Sequence, residues 1–283
     1  MTDLRADDEA LNRLIDSLGE TNCQEPPAGS LPFILNGRTC GTVVPEALER
    51  IRAALSLLPN TPLVITDEAV ILDVIGGDVD AALARLAKQC FKAGLFFQWR
   101  GELLDLIDPE TRRVLAHAER GLFRLLGLTT MSVYVVGVSE DGRLWTGLRS
   151  RTKHVDPGLW DTLAAGMIAS GETVAEAAMR ELSEEAGLSE KDVHPVGQSV
   201  AFTMRRTVPE GWMHEIAFCR RYVVREGAHV HNVDGEVQAF ELIDIDNMLC
   251  RIRARAVPSD TALVMLLTAV KPLLREKAAR GEH

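Results

Sequence analysis

Apolar residues in the first half of the chain alternate between helical spacing and short strand-like runs. Over residues 4–18, leucine and isoleucine recur every three or four positions, which predicts an amphipathic helix. The next stretch, 24–30, carries two prolines and a glycine and is expected to be a loop. Further helices are predicted at 45–58, from a cap at Asp78 or Asp80 to Lys92, and at 112–126, the last ending at Gly127. Strands are predicted at 32–36, 41–44, 63–66 and 70–74, and a strand or hairpin at 95–107.

From residue 131 onward the pattern becomes one of alternating strands. They are predicted at 132–138, 144–149, 196–203, 215–224 and 236–243, with helices at 173–186 and 259–276. This change of pattern places a domain boundary near residue 128, although the composition does not shift there. We therefore expect an α+β protein with a smaller α+β domain at 1–128 and a second domain at 129–283.

Composition and charge exclude several classes of protein. The 283 residues are 46% hydrophobic and 25% charged, as in ordinary globular proteins, and the net charge is −10 with no basic block. Nucleic-acid binding is therefore not expected. No signal peptide or apolar run of about 20 residues is present, so we expect a cytoplasmic protein without membrane contact. The five cysteines are scattered without a CxxC motif, which favours buried free thiols over a zinc site or disulfides.

The helix predicted at 173–186 has an unusual distribution of charge. Thr173 and Glu176 form a capping box at its start, and Gly187 favours its end. On a helical wheel one face holds the apolar residues Val174, Ala177, Ala178 and Leu182 together with Glu181, Glu184 and Glu185, whereas Glu176, Met179 and Ser183 face away.

A solvated surface is the ordinary interpretation of glutamates on a helix, but these three meet two objections. They point to the side that is to be buried, where an unpaired charge costs several kcal/mol. They also lie in the last turn, at the negative end of the helix dipole. Three anions in such a place indicate an obligatory cation, and oxygen ligands alone favour Mg²⁺ or Mn²⁺.

Residues 166–188 resemble the signature of a known family at nine specified positions. They read Gly166-x5-Glu172-x7-Arg180-Glu181-Leu182-x-Glu184-Glu185-x-Gly187-Leu188, which is similar to the Nudix box GX5EX7REUXEEXGU. The resemblance implies an α/β/α sandwich with a mixed sheet that hydrolyses a diphosphate bond with Mg²⁺ or Mn²⁺. It implies metal ligation by Glu181, Glu184, Glu185 and the carbonyl of Gly166, and an orienting pair of Arg180 with Glu172.

Residues outside the box complete the expected site. Glu236 is the candidate general base, with Asp234 as substitute and a strand-end surface carboxylate as the alternative. The catalytic set is thus Glu181, Glu184, Glu236 and Arg180. Arg149, Arg151 and Lys153 either contact phosphate or are solvated loop cations. Trp160, or else Phe96, Phe97, Trp99 or Trp212, either stacks on a substrate ring or belongs to the core.

A narrower resemblance concerns the substrate. One Nudix subgroup has an extra N-terminal domain and is similar to hydrolases of thiamine diphosphate analogues. The shared features are Arg149, Lys153, Pro157-Gly158, Asp161, Ala164 and Asp234-Gly235-Glu236, and upstream Gly41 to Pro45, Trp99-Arg100, Glu102 and Glu119-Arg120. Ala165, where that subgroup has a glycine, and Pro258-Ser259-Asp260 depart from its pattern.

Four functions remain open at this point. The first is hydrolysis of thiamine diphosphate or damaged analogues to the monophosphate, and the second is hydrolysis of a nucleoside diphosphate linked to another group. A non-catalytic binding module of the same fold is disfavoured because every box carboxylate is kept. A prenyl diphosphate isomerase needs a cysteine before the box, and residues 131–180 contain none. Residues 1–128 are expected to cap the pocket or to form a homodimer.

Overall fold

The structure is a computed structural model that describes residues 4–54, 63–153 and 155–281. The first part of the chain contains α1 Leu4–Asn22, β1 Leu31–Leu35, β2 Arg38–Val43, α2 Pro45–Ala54, β3 Leu63–Ile65, β4 Val70–Leu72, α3 Val79–Lys92, β5 Leu103–Ile107, β6 Val114–Glu119 and α4 Gly121–Leu126. The second contains β7 Thr129–Ser139, β8 Leu144–Arg149, β9 Trp160–Asp161, β10 Ala164–Met167, α5 Val174–Ala186, β11 Val193–Val208, β12 Gly211–Val224, β13 Val237–Ile243, α6 Ile245–Arg253, α7 Ser259–Met265, a π-helical turn Leu266–Val270 and α8 Lys271–Arg280.

The first part is built around a four-stranded sheet in the order β2-β1-β4-β3. β1 and β4 are parallel, whereas β2 and β3 are antiparallel edge strands. Apolar residues of the sheet and of α2, α3 and α4 form one buried core, which also receives Trp212 from β12. Gly127 ends α4 in the left-handed conformation, and a Cβ there would lie 1.9 Å from the carbonyl oxygen of Thr42. Only glycine therefore allows α4 to approach β2 so closely.

The second part is a mixed seven-stranded sheet covered by helices on both faces. Its main order is β11-β12-β7-β8-β13, with β10 beside β7 and β9 beside β8. β12 and β7 are parallel and the other pairs are antiparallel. Apolar residues of α5 pack on one face of the sheet, and α1, α6 and the C-terminal helices pack on the other. This arrangement confirms the expected α+β class and α/β/α sandwich.

The two parts share contacts that cross the expected boundary. Leu11 of α1 is buried in the core beneath the C-terminal helices, and α1 packs against α7 and β11. Trp212 of β12 lies in the core of the first part. The division at residue 128 stays a prediction.

The helix predicted at 112–126 is wrong in its first half. Residues 114–119 form β6, which pairs with β5 in a two-stranded antiparallel sheet, and the helix begins only at Gly121. Ala116 and Ala118 are buried while Leu115 and His117 are only partly buried, so the alternation expected of a strand is present from Leu115 to Ala118. The strand or hairpin predicted at 95–107 is likewise limited to Leu103–Ile107. The helix predicted to reach residue 58 extends to Ala54, and 55–62 lie outside the described residues.

Three elements were not predicted. The short strands β9 and β10 are too brief to carry an alternating pattern. α6, in contrast, could have been predicted from the sequence. Asp244 caps it by accepting a hydrogen bond from the backbone N–H of Asn247, and Ile245, Met248 and Ile252 share its buried face. All five cysteines are free and three are buried as expected, but the expected burial is wrong for Cys23 and Cys250, which are exposed. Among the described residues, no helix has the length and apolar character needed to cross a membrane.

Candidate active site

Helix α5 begins and ends as its sequence predicts. The backbone N–H of Glu176 donates to Thr173 Oγ1 at 3.2 Å, and the backbone N–H of Thr173 donates to Glu176 Oε2 at 2.8 Å. Gly187 ends the helix with a φ of 67°. The capping box and the glycine thus set the position of every carboxylate on α5.

Burial of the predicted inward face is uneven. Glu181 and Glu185 are 8% and 5% exposed, whereas the Glu184 side chain is 54% exposed. On the helical wheel Glu184 lies about 60° from Glu181 and about 100° from Glu185, at the edge of the buried arc. Val174, also expected to face inward, is 41% exposed in the first turn. Two of the three glutamates expected to face inward are therefore buried.

Arg180 joins the box loop to the acidic helix. Its Nε and Nη2 donate to the two oxygens of Glu172 at 2.8 and 2.9 Å, and Nη2 also donates to the carbonyl of Met167 at 2.9 Å. Its Nη1 donates to Glu181 at 2.6 Å and to Glu184 at 3.1 Å. The hydrogen bond from Arg180 lowers the pKa of Glu172. In turn, the carboxylates of Glu172 and Glu181 raise the pKa of Arg180. The expected orienting pair is therefore present as a bidentate contact.

Gly166 leaves the space that Glu181 occupies. A Cβ at residue 166 would lie 1.8 Å from Glu181 Oε1 and 2.1 Å from Cδ. Burial raises the pKa of Glu181, against the opposing hydrogen bond and charge of Arg180. The absence of a side chain at this box position is therefore a steric requirement of the acidic cluster.

Glu185 is the most deeply placed carboxylate of the helix. Its Oε2 accepts from the backbone N–H of Ala165 at 3.1 Å, and its Oε1 accepts from Lys153 Nζ at 3.2 Å. Burial raises its pKa to about 7, although the Lys153 ammonium acts in the opposite direction. The two hydrogen bonds therefore do not fully compensate the buried charge.

Glu236 approaches Glu185 from the loop before β13. Gly235 has a φ of 84°, and Asp234 accepts a hydrogen bond from the backbone N–H of Glu236 at 2.8 Å. Lys153 Nζ lies 2.7 Å from Glu236 Oε2. Burial would raise the pKa of Glu236, but the hydrogen bond and charge of Lys153 bring it below its usual value. Oxygens of Glu185, Asp234 and Glu236 all lie within 4.8 Å of one another, and we call these three residues the carboxylate cluster.

The other predicted substrate-binding residues are engaged within the protein. Arg149 pairs with Asp161 and donates to the carbonyls of Val155 and Asp156, which fixes the loop between β8 and β9. The guanidinium carbon of Arg251 lies 3.7 Å from the centre of the Trp160 ring and covers one face of it. The roles of Arg149 and Trp160 in binding stay predictions.

The remaining predicted aromatics divide between core and surface. Trp212 and Phe96 are buried in the core of the first part. Trp99 is half-buried beside Phe91, at 5.9 Å between ring centres, and Phe97 is exposed. Arg151, the remaining candidate for phosphate contact, is exposed.

Comparison with known protein families supports the motif. The family model of the NUDIX domain matches residues 128–265. These residues belong to the NUDIX domain family. The match includes the box, α5 and the loop of Glu236.

Relatives of the NUDIX domain are known in bacteria and plants. An uncharacterized Nudix hydrolase of Streptomyces coelicolor is 38% identical over 88 residues, 31% of this chain and 48% of its own length. Nudix hydrolase 24, chloroplastic, of Arabidopsis thaliana is 27% identical over 190 residues, 66% of this chain and 52% of its own. An isopentenyl-diphosphate Delta-isomerase of Klebsiella pneumoniae is 31% identical over 116 residues, 41% of this chain and 61% of its own. The chain spans about half the length of the first two relatives.

The NUDIX domain site contains charged groups from outside the box. Sequence reasoning missed the part of Lys153 between two carboxylates, because its partners lie 32 and 83 residues further along the chain. It also missed Arg251 beside Trp160. Such pairs have no local pattern and depend on how β8, β13 and α6 come together.

Proposed function

We propose that this chain is a metal-dependent pyrophosphohydrolase that cleaves the diphosphate bond of a small organic diphosphate. The observation that carries the proposal is the carboxylate cluster, in which buried Glu185 of the box lies with Asp234 and Glu236. Carboxylates that close repel one another unless protons or cations lie between them. The NUDIX domain match supports the same chemistry.

The residues present fit a hard divalent cation such as Mg²⁺ or Mn²⁺. The cluster offers only oxygen donors, as these ions prefer. The raised pKa of Glu185 indicates a buried charge that the neighbouring Lys153 does not fully compensate. Glu185 would be one ligand of the ion. The further ligands would come from Glu181, Glu184, the carbonyl of Gly166 and the two other cluster carboxylates. A bound cation would supply charge neutralisation of the diphosphate and activation of a water.

The protein groups have separate parts in this proposal. Glu236 is half-exposed and bonded to a cation, so it stays ionised and is suited to accept a proton from the attacking water. Arg180 holds Glu181 and Glu184 in place through its bond to Glu172 and is a positioning residue. The backbone N–H of Ala165 orients Glu185.

The direct test is the substitution Glu185→Gln. It removes the deepest carboxylate charge, keeps an oxygen that accepts from Ala165, and should lower kcat by at least ~10² with the fold retained. The organic monophosphate product is measured over a panel of diphosphates with Mg²⁺ or Mn²⁺, and EDTA should abolish its formation. Glu190→Gln, an exposed glutamate in the next loop, is the matched control. A Glu185→Gln protein with the kcat of the parent would overturn the proposal.

For the substrate we propose thiamine diphosphate or damaged analogues of it, cleaved to the monophosphate. Support comes from the ordered residues around the box that resemble that subgroup and from the extended region before the NUDIX domain. Ala165 and Asp260, which depart from the subgroup, are both engaged here: Ala165 donates to Glu185 and Asp260 accepts from Arg206. The measurement is kcat/KM for thiamine diphosphate and its oxidised forms against ADP-ribose and NADH. If kcat/KM for a nucleotide compound is at least tenfold higher, which is about 1.4 kcal/mol in transition-state binding, this substrate is refuted but hydrolysis is not.

A second candidate is isomerisation of a prenyl diphosphate, because one relative is named as such an isomerase. The resemblance implies a catalytic cysteine before the box, which residues 131–180 lack. Cys219, on β12, is buried, and burial raises its pKa, so its thiolate is disfavoured. Incubation with isopentenyl diphosphate separates the reactions, since the isomerase releases no phosphate.

A further inference from the structure

The hairpin β5–β6, which precedes the NUDIX domain, abuts the loop that leads into the box. The backbone N–H of Ser170 donates to the carbonyl of Leu103 at 2.8 Å. The hydroxyl of the same serine lies 2.8 Å from His117 Nδ1 on β6, and His117 also contacts Asp105 on β5. Because Ser170 lies two residues before Glu172, the hairpin is fixed directly against the machinery that holds the acidic helix.

Four charged residues lie at the end of this hairpin nearest Ser170. Arg120 follows β6 and pairs with Glu102, which precedes β5, at 2.9 Å from Nη1 to Oε2. The backbone N–H of Arg120 also donates to the carbonyl of Glu102. The backbone N–H of Arg100 donates to the buried carboxylate of Glu119 at 3.0 Å. The exposed guanidinium of Arg100 makes no hydrogen bond to any described residue.

The charges at this end of the hairpin act on the acidic groups of the NUDIX domain. After burial and Lys153, the charges of Arg100 and Arg120 contribute to lowering the pKa of Glu236. Burial raises the pKa of Glu181, Arg180 acts in the opposite direction, and the charges of Glu184 and then Glu102 raise it further. The hydrogen bond from Ser170 to Leu103 brings this end of the hairpin to the box loop, and fields between exposed charges act over about 10 Å.

Three other cations near the site are already paired. Among the described residues, Lys153 lies between Glu185 and Glu236, Arg149 pairs with Asp161, and Arg180 pairs with Glu172. A diphosphate entering a site rich in carboxylates needs further positive charge, and guanidinium groups suit phosphate oxygens. Arg100 is free to supply it, and Arg120 can exchange Glu102 for a phosphate.

We infer that Arg100 and Arg120 form a phosphate-binding subsite, contributed by the region before the NUDIX domain, that holds the substrate's diphosphate against the carboxylate cluster. The inference rests on the proposed function, because it needs a phosphorylated substrate at this place. It gives residues 1–128 a direct part in substrate binding. Neither arginine takes part in the bond-breaking step, so both act on substrate affinity.

The test measures binding without turnover. Methylenediphosphonate, whose P–C–P bridge cannot be hydrolysed, is titrated calorimetrically into the full-length protein with Mn²⁺ present. Loss of a charge-assisted contact should raise Kd by ~10-fold for Arg100→Gln and by up to ~100-fold when Arg120→Gln is added. Arg100→Gln keeps the backbone bond to Glu119 and should fold normally. Arg85→Gln, exposed on α3, is the matched control and should bind as the parent does.

The outcomes separate this inference from the proposed function. If a diphosphate is hydrolysed, the arginine variants should raise KM by the same factor as Kd and leave kcat within about threefold, as expected for uniform binding. A parent that binds the diphosphonate through the arginines but hydrolyses no diphosphate contradicts the proposed function alone. A double variant that binds within twofold of the parent, or a parent that does not bind at millimolar concentration, overturns the subsite.

Discussion

Replacing Gly166 by alanine is the most direct way to test whether the position of Glu181 limits catalysis. The new Cβ would lie 1.8 Å from Glu181 Oε1, whereas an ordinary contact begins at 3.4 Å, so carboxylate and Cβ must separate by about 1.6 Å. Glu181 has little freedom to yield, because it is 8% exposed and bonded to Arg180 at 2.6 Å. The substitution therefore displaces a proposed metal ligand by more than a bond length.

We expect Gly166→Ala to lower kcat by ~10², since a misplacement of about 1 Å in a catalytic site has an effect of that order. Overpacking should reduce the free energy of unfolding by about 1–3 kcal/mol. Activity is measured as phosphate release at saturating Mg²⁺, and stability by urea unfolding. Gly19→Ala in α1 is the control, because a Cβ there meets nothing within 4 Å and should stabilise the helix by up to about 1 kcal/mol.

A double-mutant cycle shows whether the effect passes through Glu181. In a Glu181→Ala background the carboxylate is gone, so Gly166→Ala should lower kcat only slightly further. If the two losses multiply instead, the alanine at 166 acts by another route. A Gly166→Ala protein with parental kcat would show that Glu181 tolerates displacement, and the steric argument would be refuted.

Two further predictions concern stability. Arg124 pairs at 2.6 Å with Glu215, a buried carboxylate that also accepts from Thr130 and Ser132, so Arg124→Met should lower the free energy of unfolding by ~3–5 kcal/mol and Glu215→Gln added to it should restore part of this in urea unfolding; an equal loss in both proteins would contradict the ion-pair explanation. Burial, aided by nearby arginines, lowers the pKa of His214 from 6.5, so the fold favours neutral His214 and its stability contribution, present above pH 6.5, is lost as pH falls below that value. Relative to the exposed His229→Asn control, His214→Asn should flatten the decline of Tm below pH 6.5, and an unchanged decline would argue against this linkage.

Local signals account for the parts of the fold that sequence reasoning obtained. The ends of α5 follow from Thr173, Glu176 and Gly187, each of which acts on its own turn of backbone. The helix prediction for residues 112–126 was wrong because the apolar residues of this segment fit both the strand period and the helix period. Val114, Ala116 and Ala118 alternate, while Val114, Ala118 and Leu122 recur at helical spacing. Residues 114–119 form a strand because they pair with β5, and the sequence of the segment alone does not reveal this partner.

The acidic half of the candidate site was predictable for a related reason. Carboxylates on the apolar face of a capped helix are unfavourable without a cation, and this conflict can be read within the segment 173–187. The cationic half could not be obtained in this way. Arg100 and Arg120 belong to the features shared with the resembling subgroup, but their own segments predict no partner. The contacts of Ser170 with Leu103 and His117 bring their hairpin to the box loop.

The interlocking of the two parts also determines which experiments can assign a role to residues 1–128. Removing them would expose Trp212, leave buried Glu215 without Arg124 and uncover the surface beneath α1. Each change is expected to destabilise the NUDIX domain by several kcal/mol. Inactivity of a truncated protein would therefore report loss of the fold before loss of a catalytic group. Arg100 differs because its guanidinium makes no hydrogen bond or ion pair to any of the residues that the structure describes. A point substitution there separates substrate binding from structural support, which deletion of the segment cannot do.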